Sequence, residues 1–456
     1  MPTSMGDNAF FSGKKVLVMG LGLHGGGVGA VEFLVKNGAR VTVTDLRTRR
    51  VLAPSVKALA KYRSIRWVLG RHREEDFRTA DMILKNPGVR RDHPLLRSAE
   101  RNDTPIMSDV GIFFRLCQGR IIGITGTRSK STTTWLVWKF LKTKYPRTHY
   151  GGNIRRSVLS ILPDIKKDDL VVLELSSFQL QDLLYERKSP SVAVLTNIME
   201  DHLNWHRNMR EYLDAKRTIF RFQRSDEDLF IHNQDVAVRR LTAHAPSRMH
   251  IASMPEALQK TVDEHIGGHF RPAVALALAV GRHFGVRENA MKKVLQQFRG
   301  LEGRQEDIGT HQGVHFINDT TATIPDAAIA AITRFRKKAG RGKIILIAGG
   351  QDKKLDFRKM AGIAARFVYA LILLPGTASK KIKDEMTKIK NGVRPHPYDA
   401  ASMHTAVREA GRIAERGDYV VLSPGAASFG LFLNEFDRGA RFIEAVEKTN
   451  KKNAKH

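Results

Sequence analysis

The 456-residue sequence predicts an α/β protein of three domains, each built on strand–helix alternation. Three observations carry this reading. A strand, a glycine-rich turn, a helix and a second strand run from Lys15 to Asp45. A second strand–loop–helix begins at Arg120, with apolar strands recurring at 170–175 and 192–197. A third alternation follows Gly303, and the chain length suits three domains of roughly 100 to 200 residues each.

The first domain is expected over 1–108. KVLVMG reads as a strand, VGAVEFLVKNG as a helix and RVTVTD as the next strand, which together make a βαβ unit. Further short strands are expected at 65–69 and 82–85, before Pro87-Gly88 breaks the chain. The second domain, 109–304, opens on a strand at 121–125 and a helix from near Thr132, and its sheet is expected to be mostly parallel. Residues 225–270 give no clear pattern, whereas 271–284 reads as an Ala/Val/Leu helix with Pro272 in its first turn. The third domain, 305–456, has strands expected at 314–318, 343–348, 370–374 and 419–422, and the basic tail KTNKKNAKH is expected to fray. The first and last domains thus read as Rossmann-like and the central one as a P-loop-type ATPase domain.

Composition excludes several classes. Hydrophobic residues make up 42% and charged residues 27%, enough for substantial cores, and no apolar run approaches the length of a membrane span. Lys and Arg number 76 against 46 Asp and Glu, a net charge of +30 that attracts anions. The positive residues are dispersed, with short clusters only at 47–50 and 334–338, and no zinc-finger or RNP-type spacing accompanies them, so no nucleic-acid partner is expected. Cys117 is the sole cysteine and MPTSMGDNAFFSGKK lacks a basic segment followed by an apolar one; a cytoplasmic location is expected.

Two glycine motifs carry chemistry. Gly20-Leu21-Gly22-Leu23-His24-Gly25 follows a strand, and Asp45 closes the next one, the spacing of a dinucleotide fingerprint. An NAD-type site, another diphosphate nucleotide and a purely structural turn all remain open for it. Gly126-Thr127-Arg128-Ser129-Lys130-Ser131 lies between a strand and a helix, where backbone N–H groups cradle phosphate. Lys130 is placed to reach the β- and γ-phosphates and Ser131 to hold magnesium, although a full P-loop would carry glycine in place of Ile124 and Ser129. Glu174 ends the strand at 170–175, and Asp201-His202 follows the strand at 192–197. Alone, Glu174 could pair with a lysine and His202 could cap a helix; their convergence on consecutive strand ends favours metal and phosphate chemistry. A nicotinamide dehydrogenase would explain Gly20 to Asp45 but leaves the central loop, Glu174 and His202 without a role.

TGTRSKSTTT, GGNI at 151–154, LELSSFQL at 173–180, TNIMEDH at 196–202 and YLDAK at 212–216 resemble the central domain of the Mur ligase family. GLGLHG, TDLR at 44–47 and KNPGV at 85–89 resemble its UDP-binding first domain, and INDTTAT at 317–323, GGQDKKLDF at 349–357 and LSPGAASFGLFLNEFDRG at 422–439 its third. The resemblance covers nearly the whole chain. It implies an ATP-dependent amide ligase that adds D-glutamate to UDP-N-acetylmuramoyl-L-alanine through an acyl phosphate, in peptidoglycan precursor synthesis. Another amide ligase of the superfamily, such as a folylpolyglutamate-type enzyme, is the alternative.

By the same resemblance, Lys130, His202 and Lys216 are catalytic. Gly126, Thr127, Arg128, Ser129, Lys130, Ser131, Thr132, Arg304 and Asp319 bind ATP. Ser131, Glu174, His202 and Lys216 hold two Mg2+ ions, with Lys216 matching a lysine that the family carbamylates. Gly22, Leu23, Asp45, Arg47, Pro87, Gly88 and Asn153 meet the UDP-sugar substrate, and Thr323, Lys353, Ser428 and Phe432 meet D-glutamate; Lys354 is adjacent, so the lysine could slip by one. A monomer acting on small molecules is implied. The chain departs from the family pattern at Ser129, where glycine is usual, at Phe270 and Ala273, which replace two asparagines, at Glu302-Gly303, which replaces Pro-His, and at Thr321, which replaces a common lysine. If residue 129 needs a positive φ, its Cβ stands near the phosphates.

Overall fold

The computed structural model describes residues 10–23, 25–154, 157–202, 205–232, 235–389, 395 and 397–453. His24 of the glycine turn and the last three residues of the tail lie outside the described residues. The chain divides into two compact units, Met1–Gln259 with Phe270–Val294, and Lys260–His269 with Leu295–His456.

Two parallel sheets form the first unit. Strands β1 (Lys15–Met19), β2 (Arg40–Asp45), β3 (Arg66–Leu69), β4 (Met82–Lys85) and β5 (Ile106–Ser108) are ordered β3-β2-β1-β4-β5. Strands β6 (Arg120–Thr125), β7 (Thr148–Gly152), β8 (Leu170–Glu174), β9 (Val192–Leu195), β10 (Asp228–His232) and β11 (Arg248–Ala252) are ordered β11-β10-β9-β6-β8-β7. LVVLE of β8 and VAVL of β9 are buried throughout, the continuous apolar runs of strands covered on both faces. From β6 the chain goes out to β7, returns to β8 beside β6, then crosses to β9 on the other flank. β6 therefore lies at the switch point, where the crevice beyond the strand ends accepts ligands.

The two sheets share one apolar core. Val31 and Leu34, from the helix Gly26–Lys36, belong to the same cluster as Val158 and Leu159. A Cβ on Gly29 would collide with Ser157, so the close approach there depends on glycine. Lys85 at the end of β4 pairs with Asp182 at 2.6 Å, both almost fully buried, and Asp182 belongs to the helix Ser177–Glu186.

The second unit holds β12 (Glu306–His311), β13 (Val314–Asn318), β14 (Ile344–Gly349), β15 (Ala370–Leu374), β16 (Pro397–Asp399) and β17 (Tyr419–Leu422). Their order is β12-β13-β17-β14-β15-β16, parallel except for β12, which runs antiparallel to β13.

Several expectations need correction. The segment 225–270 contains β10, β11 and the helices Val236–Thr242 and Glu256–His265. The helix after the central loop starts at Lys130, two residues before the expected point. The tail does not fray at Lys448, because the helix Glu435–Asn453 runs through it.

Candidate active site

The loop after β6 is strapped to the segment that follows β9. Thr127 N–H donates to the Asn197 carbonyl at 2.9 Å, and Arg128 N–H to Asn197 Oδ1 at 2.8 Å, beyond the end of β9. Gly126 has φ 150°, and a Cβ there would collide with the Thr196 hydroxyl, so only glycine lets the loop pass so close. Thr127 Oγ1 meets the Tyr212 hydroxyl at 2.9 Å. Ser129, the N-cap of the helix Lys130–Lys142, adopts φ 63°, ψ 6°. The left-handed condition raised for this position is met, and this non-glycine residue occupies a conformation that normally favours glycine.

The helix then starts with the two residues expected to hold the nucleotide. Lys130 Nζ donates to the Thr127 carbonyl at 2.9 Å, and Ser131 Oγ donates to Glu174 Oε2 at 2.6 Å. The other carboxylate oxygen of Glu174 accepts from Asn153 Nδ2 at 3.2 Å. Glu174 thus pairs with a hydroxyl and an amide. Ser176 follows it and opens the next helix with a capping box to Gln179. The hydroxyl and carboxylate oxygens of Ser131 and Glu174 form a donor set that suits a hard cation such as Mg2+.

Lys216, which sequence context alone would leave on the surface, is 1% exposed. Its Nζ donates to the Gly126 carbonyl at 2.8 Å and lies 4.8 Å from the centre of the Tyr212 ring. Burial, reinforced by the charge of Lys130, pushes its pKa well below the ordinary lysine value. His202 has φ 55° and meets the Phe178 ring edge-on at 5.1 Å, and partial burial lowers its pKa. His206, unremarked in the sequence, lies fully buried and stacks on the Phe178 ring at 5.8 Å, with Nε2 2.9 Å from Ser177 Oγ. Burial brings its pKa down to about 4, so it stays neutral.

The first glycine turn is organised by Asp45. Oδ2 accepts the N–H groups of Leu21 at 2.9 Å and Gly22 at 3.2 Å, and Oδ1 that of Arg47 at 2.9 Å. Asp45 is 7% exposed and holds the turn's shape through its backbone. Gly22, Leu23 and Pro87 are partly exposed and Gly88 and Arg47 exposed, at the C-terminal ends of β1, β4 and β2.

In the second unit Asp319 is buried, accepting from Gln305 N–H at 3.0 Å and Ser423 Oγ at 2.7 Å. Burial raises its pKa to about 7. Arg304 beside it is exposed. Lys353 lies 6.0 Å from the Phe429 ring centre, whereas Lys354 has φ 63°. Ser428 is buried, Thr323 and Phe432 are partly exposed, and Thr321 Oγ1 donates to the Gly303 carbonyl at 3.0 Å. Arg438, which the sequence analysis includes in the 422–439 motif without a role of its own, is fully buried. It donates to the Thr320 carbonyl at 2.7 Å, the Ala426 carbonyl at 3.1 Å and Thr320 Oγ1 at 3.2 Å, joining the loops that follow β13 and β17. Of the departures noted in the sequence, Ala273 is buried in the helix Arg271–His283 and Phe270 caps it.

A strand-end loop organised for phosphate, at the switch point of a parallel sheet and facing a hydroxyl–carboxylate pair, defines a nucleotide-using α/β enzyme. Comparison with known proteins makes this specific. The MurD-like N-terminal domain model of Mur ligases matches residues 14–108, the Mur ligase middle domain 124–265 and the Mur ligase glutamate ligase domain 303–425. The UDP-N-acetylmuramoylalanine–D-glutamate ligase of Roseiflexus sp. is 39% identical over 96% of this chain and 99% of its own. That of Borreliella afzelii is 36% identical over 94% and 97%. The chain belongs to the Mur ligase family, on its MurD-like branch. Among solved structures, the Thermotoga maritima UDP-N-acetylmuramate–alanine ligase MurC shares the fold with TM-score 0.61 at 18% identity, over 96% of this chain and all of that one. The MurF ligase of Thermotoga maritima, solved with ADP, gives 0.57 at 16%, over 98% and 97%. Among the described residues no helix is long and apolar enough to cross a membrane.

Proposed function

We propose that this protein is an ATP-dependent ligase that joins D-glutamate to UDP-N-acetylmuramoyl-L-alanine in peptidoglycan precursor synthesis. The observation that carries the reading is the meeting of Ser131 and Asn153 on Glu174, with Lys130 next to Ser131 at the start of the same helix, in a chain at least 36% identical over most of its length to two ligases of that name. On this reading, residues 1–108 take the UDP-sugar, 109–304 the ATP and 305–456 the amino acid, which accords with the extents of the three family models. On the same reading the enzyme acts as a cytoplasmic monomer.

The alanyl carboxylate attacks the γ-phosphorus of ATP, forming an acyl phosphate and releasing ADP. The free amine of D-glutamate then attacks the acyl carbon, and phosphate leaves as the amide forms and the amine loses a proton. Lys130 and the N-terminal amides of its helix offset charge on the phosphates. Ser131 and Glu174 would hold one Mg2+ ion, and His202 with Lys216 a second. Mg2+ held by these residues would supply charge neutralisation to the transferring phosphoryl group. The buried Lys216 amine, held below its ordinary pKa, is suited to add CO2 with loss of a proton, turning a cation into an oxygen ligand. Asn153 orients the muramoyl-alanine and Lys353 pairs with a glutamate carboxylate, with Thr323, Ser428 and Phe432 beside it. Arg304 and Asp319 serve the nucleotide.

The test supplies purified enzyme with ATP, Mg2+ and UDP-N-acetylmuramoyl-L-alanine, then one amino acid at a time, following phosphate release and product mass. Phosphate and a one-glutamate mass gain are expected with D-glutamate alone. Equal product with another amino acid, or phosphate release indifferent to D-glutamate, overturns the assignment.

A further inference from the structure

Three metal-ligand side chains meet at a place the ligase reaction does not use. Asp228 opens β10 and is fully buried, His250 lies on the adjoining strand β11, and His283 ends the helix Arg271–His283. His250 Nε2 is 2.8 Å from Asp228 Oδ1, and His283 Nε2 is 3.3 Å from Asp228 Oδ2. One ligand atom from each residue falls within 4.8 Å of the other two. Asp228 is paired with Val192, and Val192 with Ile122, in an all-parallel register. The cluster thus sits towards the N-terminal end of the central sheet, whereas the phosphate loop follows the C-terminal end of β6.

The rings are held in place. His250 stacks flat on Phe230, with centroids 4.5 Å apart and planes at 13°, and His283 meets the same ring edge-on at 5.5 Å. Two guanidinium groups also reach Asp228, Arg248 at 3.3 Å and Arg120 at 3.6 Å. Either could neutralise the carboxylate, so charge balance does not require two imidazoles aimed at it. Both arginine side chains are about half exposed, at 59% and 46%; Arg248 also donates to the Asp226 carbonyl at 2.8 Å, and Arg120 lies over the Phe284 ring at 5.0 Å.

We propose that Asp228, His250 and His283 form a three-ligand site for a divalent transition-metal ion of the zinc class, clamping β10, β11 and the end of the helix Arg271–His283. Two imidazole nitrogens and one carboxylate oxygen select such an ion over Mg2+ or Ca2+, which take oxygen ligands. Zinc–ligand bonds near 2.0 Å in a tetrahedron put ligand atoms roughly 3.3 Å apart, and the two His–Asp separations, 2.8 and 3.3 Å, each to its own carboxylate oxygen, lie near that spacing. Water completes the shell.

The test titrates metal-stripped full-length enzyme with Co2+ in a large excess of Mg2+, which occupies the oxygen-ligand sites. The expected result is one Co2+ per chain with the visible bands of a four- or five-coordinate ion, displaced by Zn2+. His250→Ala and His283→Ala should each weaken this binding by more than roughly tenfold, while far-UV circular dichroism and Mg2+-supported ligase turnover stay unchanged. Should His283→Ala fail to fold, the more exposed His250→Gln gives the same reading. Wild-type enzyme taking no Co2+ under excess Mg2+, or both variants keeping the bands and the affinity, overturns the proposal.

Discussion

Replacing Asp109 by Asn should make the first unit harder to unfold at neutral pH and change little below pH 4. Asp109 opens the helix Asp109–Leu116 as a buried side chain whose Oδ1 accepts the Val110 N–H at 2.7 Å. Burial raises its carboxyl pKa from 3.8 to about 6; the charge of Asp182 adds to this, while Lys85 opposes it. Because the folded value lies above the unfolded one, the folded state binds the extra proton between them. Stability therefore falls as pH rises from near 4 through 6 and stays lower above. A shift of that size corresponds to about 3 kcal/mol as an upper bound, at 1.36 kcal/mol per pKa unit. Asn keeps the Oδ1 acceptor and removes the charge, so the variant escapes the loss. Urea unfolding followed by tryptophan fluorescence, at several pH values between 4 and 8, reads the difference between the two proteins and cancels their shared titrations. The variant should gain about 2 to 3 kcal/mol at pH 7.5 and nothing at the lowest pH. Parallel curves for the two proteins across the whole range would refute the reasoning.

Lys130→Ala should lower ligase kcat by about a thousandfold or more with unchanged circular dichroism; near-normal turnover would remove the loop lysine from the mechanism. Glu174→Gln should raise the Mg2+ concentration needed for half-maximal rate by about tenfold or more, and an unchanged Mg2+ titration would dissociate Glu174 from the metal. Ser129→Gly relieves a left-handed residue worth about 1 kcal/mol but adds comparable chain entropy to the unfolded state, so stability should move by less than about 1 kcal/mol. Its KM for ATP should stay level or fall, and a marked rise would show that the hydroxyl contributes to binding. Arg438→Ala strands two buried carbonyls, those of Thr320 and Ala426, and should destabilise the second unit by about 3 kcal/mol or more; a thermal midpoint within a degree of wild type would contradict this.

What could be read from the sequence depended on how completely each segment is buried. LVVLE of β8, IILIAG of β14 and ALILL of β15 are buried at every position, and such unbroken apolar runs announce themselves. β11, RMHIA, lies at a sheet edge with Arg248, Met249 and Ile251 exposed, and no run or alternation marks it. β12 is likewise only partly buried and shifts register between Asp307 and Gly309. At the site, Lys130, Ser131 and Glu174 were legible because each follows or ends a recognisable strand. The contacts that fix the loop were not, since Thr127 meets Tyr212 across 85 positions and Arg128 meets Asn197 across 69. No local spacing encodes either. Arg438 and Lys216 show the same blindness from another side: a cation in a polar helix reads as solvated, and only the three-dimensional packing shows it buried.

The strand order explains why an incomplete phosphate-loop motif is nevertheless placed to work. Ile124 of β6 pairs with Glu174 of β8, and Gly152 of β7 pairs with the same residue from the far side. Two strands that the chain visits at different times therefore deliver Ser131 and Asn153 to the two oxygens of one carboxylate. On the opposite flank Thr125 pairs with Leu195, which brings Thr196 and Asn197 under the loop as its straps. Glycine at 124 would add nothing there, because residue 124 is a buried position within the strand and not part of the turn. Glycine at 129 is a different matter: its absence leaves a side chain in left-handed backbone at the helix N-terminus, with the loop's hold on Asn197 and Tyr212 to keep it there. The loop's shape is thus maintained by long-range contacts from β9 and the helix Met209–Arg221, which a glycine pattern alone does not register.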